Sequence, residues 1–162
     1  MPPKKKVKKG PVRFYLDLSP TNAFLELRKV EGKGMGVFTK QDLPANTRIV
    51  YEGDEIGEKK FKEAEAKHED THIVGIKTGV YIDANPKLAP KGTIWWASFM
   101  NEPDSKQTAN CVMAIETKPT RRMVFVTVKP VPRNTELTVK YGNSYRRIGY
   151  RAGKAAPKPS WL

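Results

Sequence analysis

Short apolar runs, broken repeatedly by glycine and proline, constrain this chain more than any other feature of its sequence. The runs at 48–51, 111–115 and 123–128 contain several β-branched residues, which is typical of strands. Only residues 57–70, rich in Lys, Glu and Ala, predict a helix. Strands and helices do not alternate as they would in a parallel α/β fold. We therefore predict a mainly β domain of many short strands with one helix.

The length of 162 residues suits one domain with its own hydrophobic core. We place this domain at residues 13–145, between a basic disordered tail at 1–12 and a basic, aromatic tail at 146–162. No apolar run approaches the roughly 18 residues that a membrane-spanning helix needs, so we expect no membrane segment. We also expect no secretory signal, because the basic N-terminus lacks an apolar stretch. A single cysteine, Cys111, excludes an internal disulfide and a cysteine-rich zinc cluster.

The formal charge of +13 is concentrated at the two ends of the chain. Residues 1–10 carry five lysines and residues 146–162 carry five further cations, and neither range contains an acid. The remaining residues, 11–145, carry only +3. Because the ends are cationic and the middle is nearly balanced, we expect the tails to make nonspecific contacts with polyanions such as nucleic acids.

A lysine run follows two prolines near the N-terminus, in the order Pro-Pro-Lys-Lys-Lys-Val-Lys-Lys. Such runs are typical of nuclear localisation signals, so the sequence predicts a nuclear protein. The alternative is a solvated tail that no transport receptor binds.

An acidic stretch at residues 52–70 contains eight acids and four lysines and overlaps the predicted helix. These charges could keep one helix face in solvent, or they could attract a basic peptide. The sequence leaves both interpretations open.

The segment 134–142 is predicted to form a strand that ends at Tyr141. Alternation along it places Leu137 and Val139 on the same face as Tyr141, with the residues between them opposite. Gly142 would let the backbone turn sharply after the strand. A phenol fixed at the end of a buried strand could serve a reaction, but an ordinary core tyrosine gives the same pattern.

Glycines occupy alternate positions at Gly32, Gly34 and Gly36. Their spacing matches neither a dinucleotide-binding fingerprint nor a phosphate-binding P-loop. Glycines at these positions would let the backbone approach a ligand closely, although a tight hairpin turn would explain them as well.

The two histidines, His68 and His72, match the bare spacing of a zinc-protease motif. Helical character fades at Thr71, and no third ligand is evident. We therefore predict no metal site.

Several segments, taken in order, resemble parts of a SET domain. Residues 32–38 and 43–49 resemble its opening, 81–84, 99–101 and 110–111 its middle and pseudoknot-forming segment, and 136–142 its closing motif. The resemblance covers roughly residues 22–145 and implies several small sheets with a C-terminal pseudoknot and one short inserted helix. SET domains are protein-lysine methyltransferases that use S-adenosylmethionine, so the resemblance implies that activity and that cofactor.

The same resemblance assigns roles to particular residues. Tyr141 would be the catalytic tyrosine beside the transferred methyl group. The cofactor would be held by Lys33, Gly34 and Met35 at its methionine portion, and by Asn101, with Glu102 beside it, at its adenine end. The walls of the lysine channel would be aromatic: Tyr145, Trp95, Tyr81 and Tyr150, with Trp161 as a further candidate. Because the cationic sulfur of the cofactor already activates the methyl group, no metal is expected.

Several departures from the family pattern are evident, among them a spacing from Asn101 to Asn110 that is three residues longer than the common pattern. Glu102 stands after Asn101, where the family usually has histidine, and the cysteine triplet that binds zinc after many SET domains is absent. In place of that triplet, the tail 145–162 would complete the lysine channel. Val139, two residues before Tyr141, leaves the number of methyl groups transferred open.

The expected substrate is a basic peptide such as a histone tail. Since the chain resembles small stand-alone SET domains of viral or microbial type, the nucleus could be that of a host, and a homodimer is one option. The alternative function is a catalytically weak SET-like module that holds chromatin through its cationic ends.

Overall fold

The computed structural model describes residues 2–3, 9–142, 145 and 147–162, so the lysines of the predicted nuclear localisation signal at 4–6 and 8 lie outside the described residues. The described chain forms nine strands, one α-helix and two 3-10 helices. The strands are β1 (Phe14–Tyr15), β2 (Leu25–Val30), β3 (Gly34–Thr39), β4 (Thr47–Val50), β5 (Asp54–Gly57), β6 (Ile73–Lys77), β7 (Val80–Asp83), β8 (Cys111–Glu116) and β9 (Arg122–Thr127). The α-helix is α1 (Glu58–Ala66), and the 3-10 helices span Pro86–Leu88 and Trp96–Phe99.

Three small sheets contain these strands. One has the order β1-β4-β9-β8, the second is the hairpin β2-β3, and the third has the order β5-β7-β6. β1 and β4 run parallel, and the other neighbouring strands run antiparallel. The three strands predicted from apolar runs are β4, β8 and β9, with ends that differ by one residue at most. The prediction of a mainly β fold with several small sheets and one inserted helix is confirmed.

The inserted helix α1 is shorter than the predicted 57–70, because His68 has a left-handed backbone conformation (φ 59°) just beyond its end. His68 and His72 therefore do not share a helical face. No residue of α1 is buried. The ring of Phe61 stacks on that of Tyr81 in β7, with centroids 4.0 Å apart, which fixes the helix against the third sheet. No helix of the described chain is long and apolar enough to cross a membrane.

The hydrophobic core combines side chains from the four-stranded sheet, the hairpin and the 3-10 helix at Trp96–Phe99. The largest fully buried side chains include Trp96, Phe125, Leu25, Leu43, Ile49 and Met100. The indole Nε1 of Trp96 donates a hydrogen bond to the carbonyl of Leu18 at 2.9 Å, which satisfies its polar atom. Cys111 is buried in the same core, and burial raises the pKa of its thiol, so this cysteine is a packing residue and not a nucleophile.

The closing segment, residues 136–141, is extended but is not the regular strand that 134–142 predicted. Isolated bridges join Glu136 to Phe38, Thr138 to Asn101 and Val139 to Cys111. Since each bridge goes to a different neighbour, no continuous ladder forms. Leu137 and Val139 are buried as predicted, but Thr138 is buried too, so this part of the segment has no solvent face. Three neighbours therefore hold the segment, as the threaded arrangement of a pseudoknot requires.

The last residues of the chain fold back onto the loop that precedes β8. The amide of Ala109 donates to the carbonyl of Lys154, and the amide of Lys154 donates to that of Gln107, both at 2.9 Å. A Cβ at Gly153 would overlap the carbonyl oxygens of Gln107 and Asp104, so glycine is required there.

Candidate active site

The hairpin β2-β3 and the closing segment meet at Asn101. The Asn101 side-chain amide donates to the carbonyl of Met35 at 3.1 Å and to a carboxylate oxygen of Glu136 at 2.9 Å. Gly36 allows this approach, because a Cβ there would lie 2.8 Å from the Glu136 carboxylate. Asn101 therefore joins two parts of the site, and its amide hydrogens are used within the protein.

Tyr141 lies at the end of the closing segment, where its hydroxyl and its backbone amide both donate hydrogen bonds. Its hydroxyl donates to the carbonyl of Met100, and its backbone amide donates to the carboxylate of Glu102 at 3.0 Å. Burial, followed by the nearby Tyr51 and Tyr145, raises the pKa of Tyr141 further above its usual value. The phenol thus stays protonated at neutral pH and can donate a hydrogen bond, but it cannot act as a phenolate base.

Gly142 does not have the special role that the sequence suggested. Its φ is outside the left-handed region, and a Cβ there would meet no atom within 4 Å. The chain does turn at this point, since the amide of Tyr145 donates to the carbonyl of Gly142 at 3.0 Å.

Two cavities share Tyr141 and Tyr145 in their walls. The first has a volume of about 560 Å³ and is lined by residues from the hairpin turn, the aromatic segment and the C-terminal segment: Glu31, Gly32, Lys33, Met35, His72, Pro86, Ser98, Phe99, Asn101, Glu102, Tyr141, Tyr145, Gly149 and Tyr150. The second is about 270 Å³ and adjoins α1 and β6. The rings of Tyr141 and Tyr145 lie 4.6 Å apart between centroids. Two separate ligands could therefore meet at this pair of rings.

The first cavity contains most of the residues predicted to hold a cofactor. Lys33, Met35, Asn101 and Glu102 line it, whereas Gly34 does not. Gly34 has a φ of 76°, so it shapes the turn.

The side chain of Lys33 links the two rims of the first cavity. Its Nζ lies 2.9 Å from the carbonyl of Glu102, to which it donates, and 2.7 Å from a carboxylate oxygen of Asp104. The hairpin turn and the loop after Asn101 are thereby held at a fixed separation.

Glu102 is the most densely bonded acid of the site, and its partners are protein groups. Its side chain is 1% exposed. It accepts hydrogen bonds from Nε and Nη2 of Arg147, both at 2.7 Å, from the Tyr150 hydroxyl at 2.9 Å, and from the Tyr141 amide. Since both carboxylate oxygens accept hydrogen bonds from protein groups, Glu102 anchors the C-terminal segment at the cavity, and its place beside the cofactor stays a prediction.

Arg147 was missed as a site residue, because the sequence shows it only as one cation of a basic tail. The hydrogen bonds to Glu102 raise its pKa above the ordinary arginine value. Its presence could have been anticipated, since an acid inside an aromatic segment requires a cationic partner when buried.

The second cavity has five aromatic residues and two acids in its lining. Its aromatic lining consists of Tyr51, Phe61, Tyr81, Tyr141 and Tyr145, and its acids are Glu65 and Asp70. Tyr51 was another missed residue: its hydroxyl donates to the carbonyl of His72 at 2.8 Å, and burial raises its pKa. Tyr81 lines only this second cavity, and Tyr150 lines only the first.

Two predicted channel residues lie elsewhere. Trp95 is 6% exposed in the hydrophobic core and lines neither cavity. Trp161 lies next to Gly10, away from Tyr141, and lines a third cavity. Trp95 belongs to the core cluster together with Trp96, and adjacent tryptophans in a sequence do not reveal which ring reaches a cavity.

Comparison with known families identifies the region that contains these cavities. The family model described as SET domain matches residues 34–142, which is more than half of the chain. The match includes Asn101, Glu102 and Tyr141, but ends before Arg147 and Tyr150. No curated protein matches the sequence significantly. Among the described residues, no group of three or more His, Cys, Asp or Glu side chains is placed to hold a metal ion.

Proposed function

The chain belongs to the SET-domain family, and on that premise we propose that it transfers a methyl group from S-adenosylmethionine to the side-chain amine of a protein lysine. The observation that supports this most strongly is the pair of cavities with Tyr141 and Tyr145 in their shared wall. Such a pair lets a cofactor and a peptide side chain approach one point from separate binding sites, which is what a direct group transfer requires.

The first cavity fits the cofactor. Its volume of about 560 Å³ is within the range of about 300–1,000 Å³ usual for ligand sites. The hairpin turn presents an acid, Glu31, and a cation, Lys33, to the charged groups of the methionine portion. Phe99 and Tyr150 offer aromatic surface for the adenine ring. When bound, S-adenosylmethionine supplies a methyl group on a cationic sulfur, and the carbon–sulfur bond breaks as the lysine nitrogen bonds the carbon.

The second cavity would prepare the substrate lysine. A free lysine amine has a pKa near ~10.4, and only its neutral form has the electron pair needed for attack. Tyr51, Tyr141 and Tyr145 exclude water around the amine and so favour the neutral form, after a proton has passed to solvent. The hydroxyl oxygen of Tyr141, which the Met100 carbonyl holds in place, can orient a methyl group through a weak polar contact.

The direct test is incubation of the full chain with isotope-labelled S-adenosylmethionine and core histones. We expect label in a histone band, and no label when the histone lysines have been acetylated beforehand. Calorimetry should show that the cofactor binds at one site per chain. Absence of both incorporation and cofactor binding, with histone binding retained, would instead support the SET-like module without catalysis.

We further propose that the substrate is a basic peptide such as a histone tail and that the protein acts in the nucleus. The acids beside the second cavity support the first part: Glu65 and Asp70 line it, and Glu58 accepts a hydrogen bond from Tyr81 at 2.9 Å. A basic residue next to the target lysine would meet negative potential there.

Glu65→Lys is expected to raise the KM for a histone-tail peptide roughly two- to fivefold with little change in kcat. Glu65 lines the second cavity and would repel a basic peptide once reversed, an effect of about 0.5–1 kcal/mol for an exposed charge. Glu63→Lys is the matched control, since Glu63 is an exposed acid of the same helix that does not line the cavity. Steady-state kinetics at low and high salt would measure both variants, and the difference should shrink at high salt. Equal KM values for the two variants would remove Glu65 from peptide recognition.

A further inference from the structure

The two cationic ends of the chain converge on one face of the protein. In the N-terminal segment, the carbonyl of Pro11 accepts a hydrogen bond from the Asn46 side chain at 2.7 Å. In the C-terminal segment, Trp161 packs so closely on Gly10 that a Cβ at position 10 would overlap the indole. Ends that looked like independent tails in the sequence therefore form one surface.

This surface surrounds a third cavity of about 450 Å³. We call the surface around this cavity the terminal surface and define it by Arg13, Lys118, Lys158 and Trp161. The full lining is Arg13, Arg48, Met113, Ala114, Ile115, Glu116, Thr117, Lys118, Lys158, Trp161 and Leu162. Of these lining residues, only Met113 also lines the second cavity, and none lines the first. The terminal surface is therefore separate from the candidate active site.

One acidic side chain, Glu116, is among these lining residues, and cations of the sheet neutralise it. Its carboxylate lies 2.6 Å from Arg48 and 2.9 Å from Arg122, and it also accepts a hydrogen bond from Tyr15 at 2.7 Å. Burial opposes its charge, but the hydrogen bonds from Tyr15, Arg48 and Arg122 outweigh burial and lower its pKa. Glu116 is therefore satisfied inside the protein.

Three exposed cations of the terminal surface remain available for a ligand. Arg13, Lys118 and Lys158 come from the N-terminal segment, the β8–β9 turn and the C-terminal segment, and all are exposed. Within the described part of the chain, no salt bridge joins them to an acid. A terminal carboxylate at Leu162 would offset one of these charges. Lys9, a further cation of the N-terminal segment, is also exposed.

We propose that the terminal surface binds the phosphate backbone of a nucleic acid. A duplex carries one negative charge per about 1.7 Å of its axis, so a row of separate cations can each neutralise a phosphate and release counterions. The arrangement favours such a repeating polyanion over a single small anion, because its exposed cations come from three separate segments of the chain. The contact would hold the enzyme near chromatin independently of peptide binding.

The test compares two triple variants of the full chain that carry the same net charge. R13Q/K118Q/K158Q removes the cations of the terminal surface, and K77Q/K87Q/K91Q removes three exposed lysines elsewhere. Binding of a fluorescein-labelled 20-base-pair DNA duplex would be followed by fluorescence anisotropy at NaCl concentrations between about 50 and 200 mM. Each phosphate contact is expected to contribute about 0.9 to the slope of log affinity against log salt concentration. We expect the first variant to lose about tenfold or more in affinity near 100 mM salt, with a slope shallower by about 2–3. The second should retain the wild-type slope.

Equal losses in the two variants would overturn the proposal, because net charge alone would then explain binding. The proposal would also be wrong if the wild type did not bind the duplex, or if polyglutamate displaced the duplex at lower charge concentration, which would indicate an acidic protein partner. Circular dichroism would verify that both variants fold. Methyl transfer to a short peptide should be unchanged in R13Q/K118Q/K158Q, so this result is distinguishable from failure of the proposed activity.

Discussion

Tyr141→Phe is expected to lower kcat for methyl transfer by about 10²–10³-fold, with little change in the affinity for S-adenosylmethionine. The substitution keeps the aromatic wall between the two cavities and removes only the hydroxyl that donates to the Met100 carbonyl. That carbonyl then loses its hydrogen bond, and the wall shared by the two cavities loses the side-chain oxygen of Tyr141. Single-turnover rates with labelled cofactor, together with calorimetric cofactor affinities, would separate chemistry from binding.

Tyr81→Phe is the control for this substitution. Tyr81 also lines the second cavity, but it does not line the first. Its hydroxyl donates a hydrogen bond to the exposed Glu58. We expect less than about a threefold change in kcat, in keeping with the small value of an exposed interaction.

Removal of the Tyr141 hydroxyl leaves a buried carbonyl unpaired and should cost about 1–3 kcal/mol in unfolding free energy, so urea unfolding must accompany the kinetics. If Tyr141→Phe and Tyr81→Phe retained equal activity, Tyr141 would have no catalytic role.

The sequence predicted the parts of the fold that depend on local pattern. β8 and β9 were predicted nearly to the residue because apolar, β-branched runs favour strands and a polar turn separates them. The closing segment was harder, since its pairing with Phe38, Asn101 and Cys111 is decided by three distant neighbours. Alternation along a segment cannot show that both of its faces are buried.

The sequence predicted only part of the candidate site, because the rest depends on contacts between residues that are distant in the sequence. Tyr141 and Asn101 were identified from motif residues, but the hydrogen bonds that explain their positions span 35 to 66 residues of sequence. Trp95 and Trp161 were assigned to the channel by residue type alone, and packing placed them elsewhere. A single sequence gives the chemistry of a side chain, whereas its neighbours come from the tertiary structure.

The bond between Glu102 and Arg147 shows how such a long-range contact can determine a site. It joins the segment beside Asn101 to the C-terminal segment, 45 residues later, and the same carboxylate holds the Tyr141 amide and the Tyr150 hydroxyl. The pair therefore keeps one wall of the first cavity and Tyr141 in register. This explains why a carboxylate is compatible with a position where the family usually has histidine.

Glu102→Gln is expected to reduce the unfolding free energy by about 2–3 kcal/mol and to weaken cofactor binding by about tenfold. Breaking a buried ion pair typically costs about 3–5 kcal/mol, and the lower figure applies because 20% of the Arg147 side chain is exposed. Arg147→Met should cost at least as much, since it leaves the Glu102 carboxylate buried without its cation. Asp104→Asn is the control, because it weakens the ion pair between Asp104 and Lys33. The Asp104 side chain is 67% exposed, so the substitution should lower the unfolding free energy by less than about 1 kcal/mol.

The double variant Glu102→Gln/Arg147→Met separates a specific bond from general damage to the fold. If the two groups act through each other, the double variant should lose less stability than the two single variants together, with a coupling of about 1–3 kcal/mol in urea unfolding. The cofactor dissociation constant should show the same non-additivity, because the wall formed by Tyr150 depends on the same carboxylate. Strictly additive losses in both measurements would mean that Glu102 and Arg147 contribute independently.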